Sequence, residues 1–346
     1  MTRAAALLAL APFVVPFALA AQGCSDDAES SDAGPLPTTT TTATSTSTST
    51  STPPDGSAPP DGSVPDTSVP DAASFPDPIQ GVAPATLVKG GYQFLEGPQW
   101  LPAENKLVFS DVQGNRILQL TPPSTEPTDF RNPSAGANGN AIDKNGLLYT
   151  CEHTGKRVAR RLANGTVETA AGMFGGAQLN SPNDVIVRSD GTVYFTDPNY
   201  AGNTQPKQNV FRLPPGGALA VVDDTLEKPN GIALSPDEKS LYVAVASAKT
   251  VRKYAVSADG STGAGATFVT TTGTSPDGIA VDDAGNLYAA TSVGVEVFKP
   301  DGTRVGAITV PMQPANIAFG GADRRTLYVT ARTGLYSTRV NVPGPP

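Results

Sequence analysis

The sequence predicts an all-β protein made of six repeated units, and three observations carry that prediction. First, six segments of the 346-residue chain align with one another: EGPQWLPAENKLVFSD from Glu96, NAIDKNGLLYTCEH from Asn140, NDVIVRSDGTVYFTD from Asn183, NGIALSPDEKSLYVAV from Asn230, DGIAVDDAGNLYAAT from Asp277 and NIAFGGADRRTLYVTA from Asn316. Each has a polar anchor, a short apolar strand, a turn rich in Asp, Asn, Gly or Pro, and a second strand that usually carries Leu-Tyr. Second, the anchors lie 44, 43, 47, 47 and 39 residues apart, the period of β-propeller blades. Third, Gly and Pro interrupt every candidate helical window while alternating Val, Ile, Tyr and Thr dominate. The expected fold is a six-bladed β-propeller over residues 81–346, with a strand near 85–94 completing the blade formed by the C-terminal strands.

The segments ahead of the repeats are of a different kind. Residues 1–23 carry one base, Arg3, and then an uncharged apolar stretch that Pro12 and Pro16 interrupt. That pattern suits a secretory signal better than a membrane span. The approach Ala21-Gln22-Gly23-Cys24 resembles a bacterial lipoprotein processing site, which implies lipidation at Cys24; simple cleavage is the alternative. Ser25 follows the cysteine where an Asp usually marks inner-membrane retention, so the resemblance favours the outer membrane over a periplasmic or secreted product. Residues 24–80, with Ser/Thr tracts and Pro-Asp repeats, have too little apolar surface to offset the entropy of ordering and read as a tether. This tract holds nine acids and no Lys or Arg. It accounts for the acidic balance of the whole chain, and the repeats themselves are near neutral, with no basic field for nucleic acid. The one cysteine beyond the tether, Cys151, and the single histidine, His153, exclude the usual His/Cys zinc constellations.

In a propeller, equivalent positions of successive blades point at one axis, so the six anchors form a polar ring. The bland reading, that the Asn-Gly and Asp-Gly pairs only make turns, is weakened by a separate turn downstream in every repeat and by Glu96, which is no turn former. Two carboxylates, Glu96 and Asp277, brought together on an axis would repel unless a cation lay between them. An all-oxygen donor set from different blades suits Ca²⁺, or another divalent cation of similar tolerance, better than Zn²⁺ or Mg²⁺.

The motifs EGPQW at Glu96, SPNDV at Asn183, KPNGIALSPDEKSLYV at Asn230 and SPDGIAVDDAGNLY at Asp277 resemble the SMP-30/gluconolactonase/LRE (regucalcin-like) family over residues 85–340. The resemblance implies one divalent metal, held by Glu96, Asn183, Asn230 and Asp277, and hydrolysis of a small lactone or related ester. It implies that Asp277 is the catalytic base or its metal-bound partner. His153, in an EHG-like segment, is a second catalytic candidate, with a passive hydrogen-bonded histidine as the alternative. Asn140, Asn180, Asp197 and Tyr200 are the expected substrate neighbours, the last two from TDPNY, although Asp197 could equally cap a turn and Tyr200 could be packing. Sugar-lactone members often carry an Arg just before the metal-binding Asn, where this chain has Gln178 to Pro182, so a sugar-acid substrate does not follow. The competing class is a non-catalytic propeller that binds protein or glycan, its metal only tying blades together.

Overall fold

The computed structural model describes residues 75–345; the expected leader, Cys24 and most of the tether lie outside the described residues. Six four-stranded antiparallel sheets follow one another along the chain. Blade 1 is built from Leu95–Leu101, Lys106–Asp111, Arg116–Leu120 and Thr128–Arg131. Blade 2 comprises Ala137–Ile142, Leu148–Glu152, Arg157–Arg161 and Val167–Ala171, and blade 3 Val185–Val187, Val193–Asp197, Asn209–Leu213 and Ala220–Asp223. Blade 4 runs through Pro229–Leu234, Ser240–Val245, Thr250–Ala255 and Ala266–Thr270, and blade 5 through Ile279–Val281, Leu287–Thr291, Gly294–Phe298 and Arg304–Ile308. In blade 6, Asn316–Gly320, Thr326–Ala331 and Gly334–Arg339 take their fourth, outermost strand from Thr86–Gly90. Thr86 faces Ser337 and Gly90 faces Gly334, so pairing of the two ends of the domain closes the ring as expected.

The first strands of all six blades touch their neighbours in a closed circuit, which makes them the inner wall of an axial channel. The core lies between blades. Successive residues of the second strands point to opposite faces: Tyr194 packs towards blade 4, while Val193 and Phe195 pack towards blade 2. Likewise Val108 faces blade 2, and Leu107 and Phe109 face blade 6. Six apolar clusters result, one at each blade-to-blade interface, and the Leu-Tyr pairs of the repeat supply one residue to each side.

The turns between first and second strands are made where the repeat places its Asp and Gly. Asp190 Oδ1 accepts the Thr192 N–H (2.9 Å), and Gly191 N–H donates to Arg188 O (2.8 Å) with φ +91. Asp143 and Asp282 accept backbone N–H groups in the same way in blades 2 and 5. One boundary differs from the composition-based reading. Asp77 Oδ1 caps the N–H groups of Ile79 and Gln80, Asn341 donates to Asp77 O and Gln80 O, and Ile79 packs on the cluster between blades 5 and 6. Residues 77–80, assigned to the tether from their Pro and Asp content, are thus fastened to the propeller.

Candidate active site

Backbone hydrogen bonds between blades fix which residues are equivalent around the axis. Gly139 N–H donates to Asn183 O (2.8 Å), Gly231 N–H to Asp277 O (3.2 Å) and Gly278 N–H to Ala315 O (2.7 Å). Within their own blades Asn183, Asp277 and Ala315 each donate N–H to the second strand, at Thr196, Ala290 and Thr330. Ser110 Oγ donates to Asn138 O as Thr196 Oγ1 donates to Asn230 O (both 2.7 Å). The ring is therefore Glu96, Asn138, Asn183, Asn230, Asp277 and Ala315.

Two expected anchors are corrected. Blade 2 contributes Asn138 to this tier, not Asn140, and blade 6 contributes Ala315, not Asn316. The inner strands of blades 1, 2 and 4 bulge beside the ring, with register shifts between Glu96 and Gln99, Ala137 and Asn140, and Pro229 and Ile232. A bulge re-aims the side chains on either side of it, and residue spacing does not reveal it.

The glycines after the anchors have a reason other than a turn. A Cβ on Gly97 would lie 2.0 Å from Asn138 O, one on Gly139 2.3 Å from Asp184 Oδ1, one on Gly231 2.3 Å from Asp277 O and one on Gly278 2.1 Å from the Asn316 side chain. Neighbouring blades approach too closely at the axis for any side chain there. Where the glycine is missing, a polar group fills the tier: Asp184 in blade 3 and Asn316 in blade 6. Asp184 accepts the N–H groups of Val185 and Ile232, linking blades 3 and 4. It is a third buried carboxylate, and the signal for it in the sequence is an Asp where four other blades have Gly.

Burial dominates the electrostatics. Glu96 is 3% exposed; burial, and then the charges of Asp277 and Asp184, push its carboxyl well above the usual range, against hydrogen bonds from Gly97 and Asn316. Asp277 keeps part of its surface, and burial and the Asp184 charge push it up to about 7, with Arg332 and the Asn230 amide pulling back. Asp184 is pushed up to about 7 by burial, offset by its backbone and Asn316 hydrogen bonds. Tyr200 is raised by burial and by the Asp277 charge. Its hydroxyl accepts from Asn230 Nδ2 (3.2 Å), and Lys228 Nζ lies 4.6 Å from its ring centre. Among the described residues no three His, Cys, Asp or Glu side chains converge as a metal cluster; the donors here are two carboxylates among amides. Their chemistry fits a hard cation, since every donor is an oxygen and each carboxylate is raised by a neighbouring carboxylate's charge, Glu96 by Asp277 and Asp277 by Asp184.

The remaining expected residues fall into place around this ring. Asn140 is turned into the protein: Nδ2 donates to Gly97 O, Ser110 Oγ and Asn138 O, and Oδ1 accepts from Thr150. Asn180 holds the loop that carries Tyr200, donating to Lys207 O and accepting from the N–H groups of Thr204 and Gln205. Asp197 accepts the backbone N–H groups of Asn180 and Ser181 (both 2.9 Å). Asp111 clamps Gln93 and Phe94, and Glu296 clamps Thr272 and Gly273, in the same manner. An acid at the end of the second strand in blades 1 and 3, and one in the third strand of blade 5, thus fixes the chain entering the ring. His153 Nε2 lies 2.8 Å from Asn138 Nδ2, and burial lowers its pKa to about 4, so the imidazole is neutral near pH 7.

Behind the ring, a cavity of about 770 Å³ follows the inner strands away from it. Asn140, Asp184 and Asn316 stand at its head, and aliphatic side chains such as Val185, Ile232, Ile279 and Ile317 line its length. The chemistry of the molecule is concentrated at the opposite, ring end.

Fold and site together define a six-bladed propeller with a polar, carboxylate-bearing centre at one mouth of its channel. The model of the SMP-30/Gluconolactonase/LRE-like region matches residues 94–333, and the chain belongs to that family. The gluconolactonase of Zymomonas mobilis is 31% identical over 297 residues, covering 75% of this chain and 82% of the relative. The pentonolactonase XacC of Haloferax volcanii is 31% identical over 252 residues, covering 69% and 81%. Among solved structures, a gluconolactonase from Xanthomonas campestris is 32% identical with a TM-score of 0.69, covering 74% of this chain and 89% of its own.

Proposed function

We propose that the chain is a lactone hydrolase whose ring carries a divalent cation, with Ca²⁺ the favoured ion. The lactone-hydrolysing class is supported by the lactonase relatives. The observation that carries the site is the convergence of Glu96 and Asp277 on one axis, where the Asp277 charge adds to the burial that raises Glu96 and the Asp184 charge adds to the raising of Asp277. Glu96, Asn183, Asn230 and Asp277 would hold the ion. When bound, it would polarise the lactone carbonyl and stabilise the oxyanion of the tetrahedral intermediate.

The chain's own groups supply the rest. Asp277 is the carboxylate of the pair that keeps exposed surface, so it is the one placed to take a proton from an attacking water. Arg332, beside it, holds it towards the charged form, as does the Asn230 amide. The Tyr200 hydroxyl accepts from the Asn230 amide, with Lys228 over its ring, and so helps orient a proposed ligand. The three acid clamps keep the strands that enter the ring from moving.

Hydrolysis of a sugar-lactone and aryl-ester panel, with Ca²⁺ and with chelator, tests this reading. Metal-dependent turnover that is lost in Asp277→Asn supports it. No turnover by folded, Ca²⁺-loaded protein would favour the non-catalytic binding module. Export and tethering rest on the leader and the Ser/Thr/Pro/Asp tract; incorporation of labelled palmitate that disappears in Cys24→Ala is the expected result.

A further inference from the structure

One ring position has no role in the arrangement above. Asn138 is 3% exposed, and it occupies in blade 2 the tier that Glu96, Asn183, Asn230 and Asp277 occupy in theirs. Its Nδ2 is engaged by His153 Nε2 at 2.8 Å. Its Oδ1 is buried and has no hydrogen-bond partner among the described residues. Buried carbonyl oxygens are almost always satisfied, so an orphan at this place asks for an explanation. Its ring neighbours are Glu96 and Asn183, and among the described residues no N–H reaches the oxygen. A cation on the axis would satisfy it directly.

We propose that Asn138 Oδ1 is a fifth oxygen donor of the ion site, held in the ligating orientation by His153. This rests on the reading that the ring binds a divalent cation. A carboxamide can turn either end towards the axis, and only the oxygen end ligates. A neutral imidazole has one acceptor nitrogen; with Nε2 in that role the ring proton sits on Nδ1, and the amide N–H₂ is kept away from the axis. His153 is then a positioning residue, one step removed from the ion, in the manner of outer groups that orient metal ligands. The backbone backs this up. Ser110 Oγ donates to Asn138 O, and Gly97 of blade 1 approaches that carbonyl too closely for a side chain, so withdrawal of the residue from the ring would break this contact between blades 1 and 2.

Calorimetric titration of Ca²⁺ into the chelator-treated full chain reads the proposal without reference to turnover. Asn138→Ala is expected to weaken Ca²⁺ binding about tenfold or more, and His153→Phe several-fold, with His153→Gln, which keeps an acceptor, closer to wild type. Asn138→Asp, which replaces the amide oxygen by a charged one, is expected to tighten binding. If wild type binds Ca²⁺ and Asn138→Ala binds it equally, the proposal is overturned, and a raised KM in that variant would assign Asn138 to substrate. Should Asn138→Ala fail to fold, Asn138→Asp decides, and affinity no tighter than wild type overturns the proposal. If wild type binds no Ca²⁺, the ion reading itself falls.

Discussion

Replacing Gly231 by alanine tests whether the blades meet at the axis as closely as described. The new Cβ would lie 2.3 Å from Asp277 O, 2.7 Å from Gly278 Cα and 2.7 Å from Ile279 N. All three are backbone atoms, so no side chain can rotate away. Relieving the shortest contact to ordinary van der Waals distance needs a shift of about 1 Å between blades 4 and 5, on the scale of atomic contact distances. That shift would break the Gly231 N–H to Asp277 O hydrogen bond and separate Asn230 from Asp277. Overpacking of this kind costs about 1–3 kcal/mol, and a displacement near 1 Å at a reacting centre costs about 100-fold in rate. Urea denaturation and lactone turnover of Gly231→Ala read the two effects. Gly263→Ala is the control, because its nearest neighbour is the Ala255 Cβ at 3.9 Å and its backbone is not left-handed. If Gly231→Ala were as stable and as active as Gly263→Ala, the close approach and the argument that these glycines make room for neighbouring blades would both be wrong.

Two further outcomes are expected. Asp197 is fully enclosed, and burial pushes its carboxyl up to about 6 against the ordinary 3.8. The folded state therefore binds more protons than the unfolded state between these values, and this group adds stability as pH falls through 6, by about 3 kcal/mol in total. The stability difference between wild type and Asp197→Asn should show that slope between pH 7 and 4; a difference independent of pH would contradict it. Chain that starts after Gly90 loses the outermost strand of blade 6 and leaves Gly334–Arg339 as an unpaired edge, which invites association between molecules. Size-exclusion chromatography should show aggregates for that chain, and monomer-like behaviour for it would argue against closure through this strand.

The blade count was legible because each repeat states the same physical requirement. A second strand buried on both faces needs a run of apolar side chains through its first half, and its turn needs Asp and Gly at fixed places, as in Ser189-Asp190-Gly191 and Asp282-Asp283-Ala284-Gly285. Glu96, Asn183, Asn230 and Asp277 could likewise be picked out, since polar residues stand at the head of strands that are otherwise apolar. Asn138 was hidden behind Asn140 in GANGNAI, two candidates two residues apart with a bulge between them. Its likeness to the Asn230-Gly231 pair was the signal for it. Asn180 and Asp197 looked like pocket residues because polar side chains near a mouth resemble ligands until their hydrogen bonds are counted.

The sequence by itself determined the six units, their strand pattern, the near-neutral charge of the repeats and the residue types of the ring, because local periodicity and turn chemistry are properties of neighbouring residues. Tertiary structure alone decided which side chains share a tier, that Asp184 is buried behind Glu96 and Asp277, and that His153 turns towards Asn138. Those relations join residues from different blades, dozens of positions apart, and they depend on bulges and on backbone hydrogen bonds of 2.7–3.2 Å between blades. A linear pattern carries no measure of such distances.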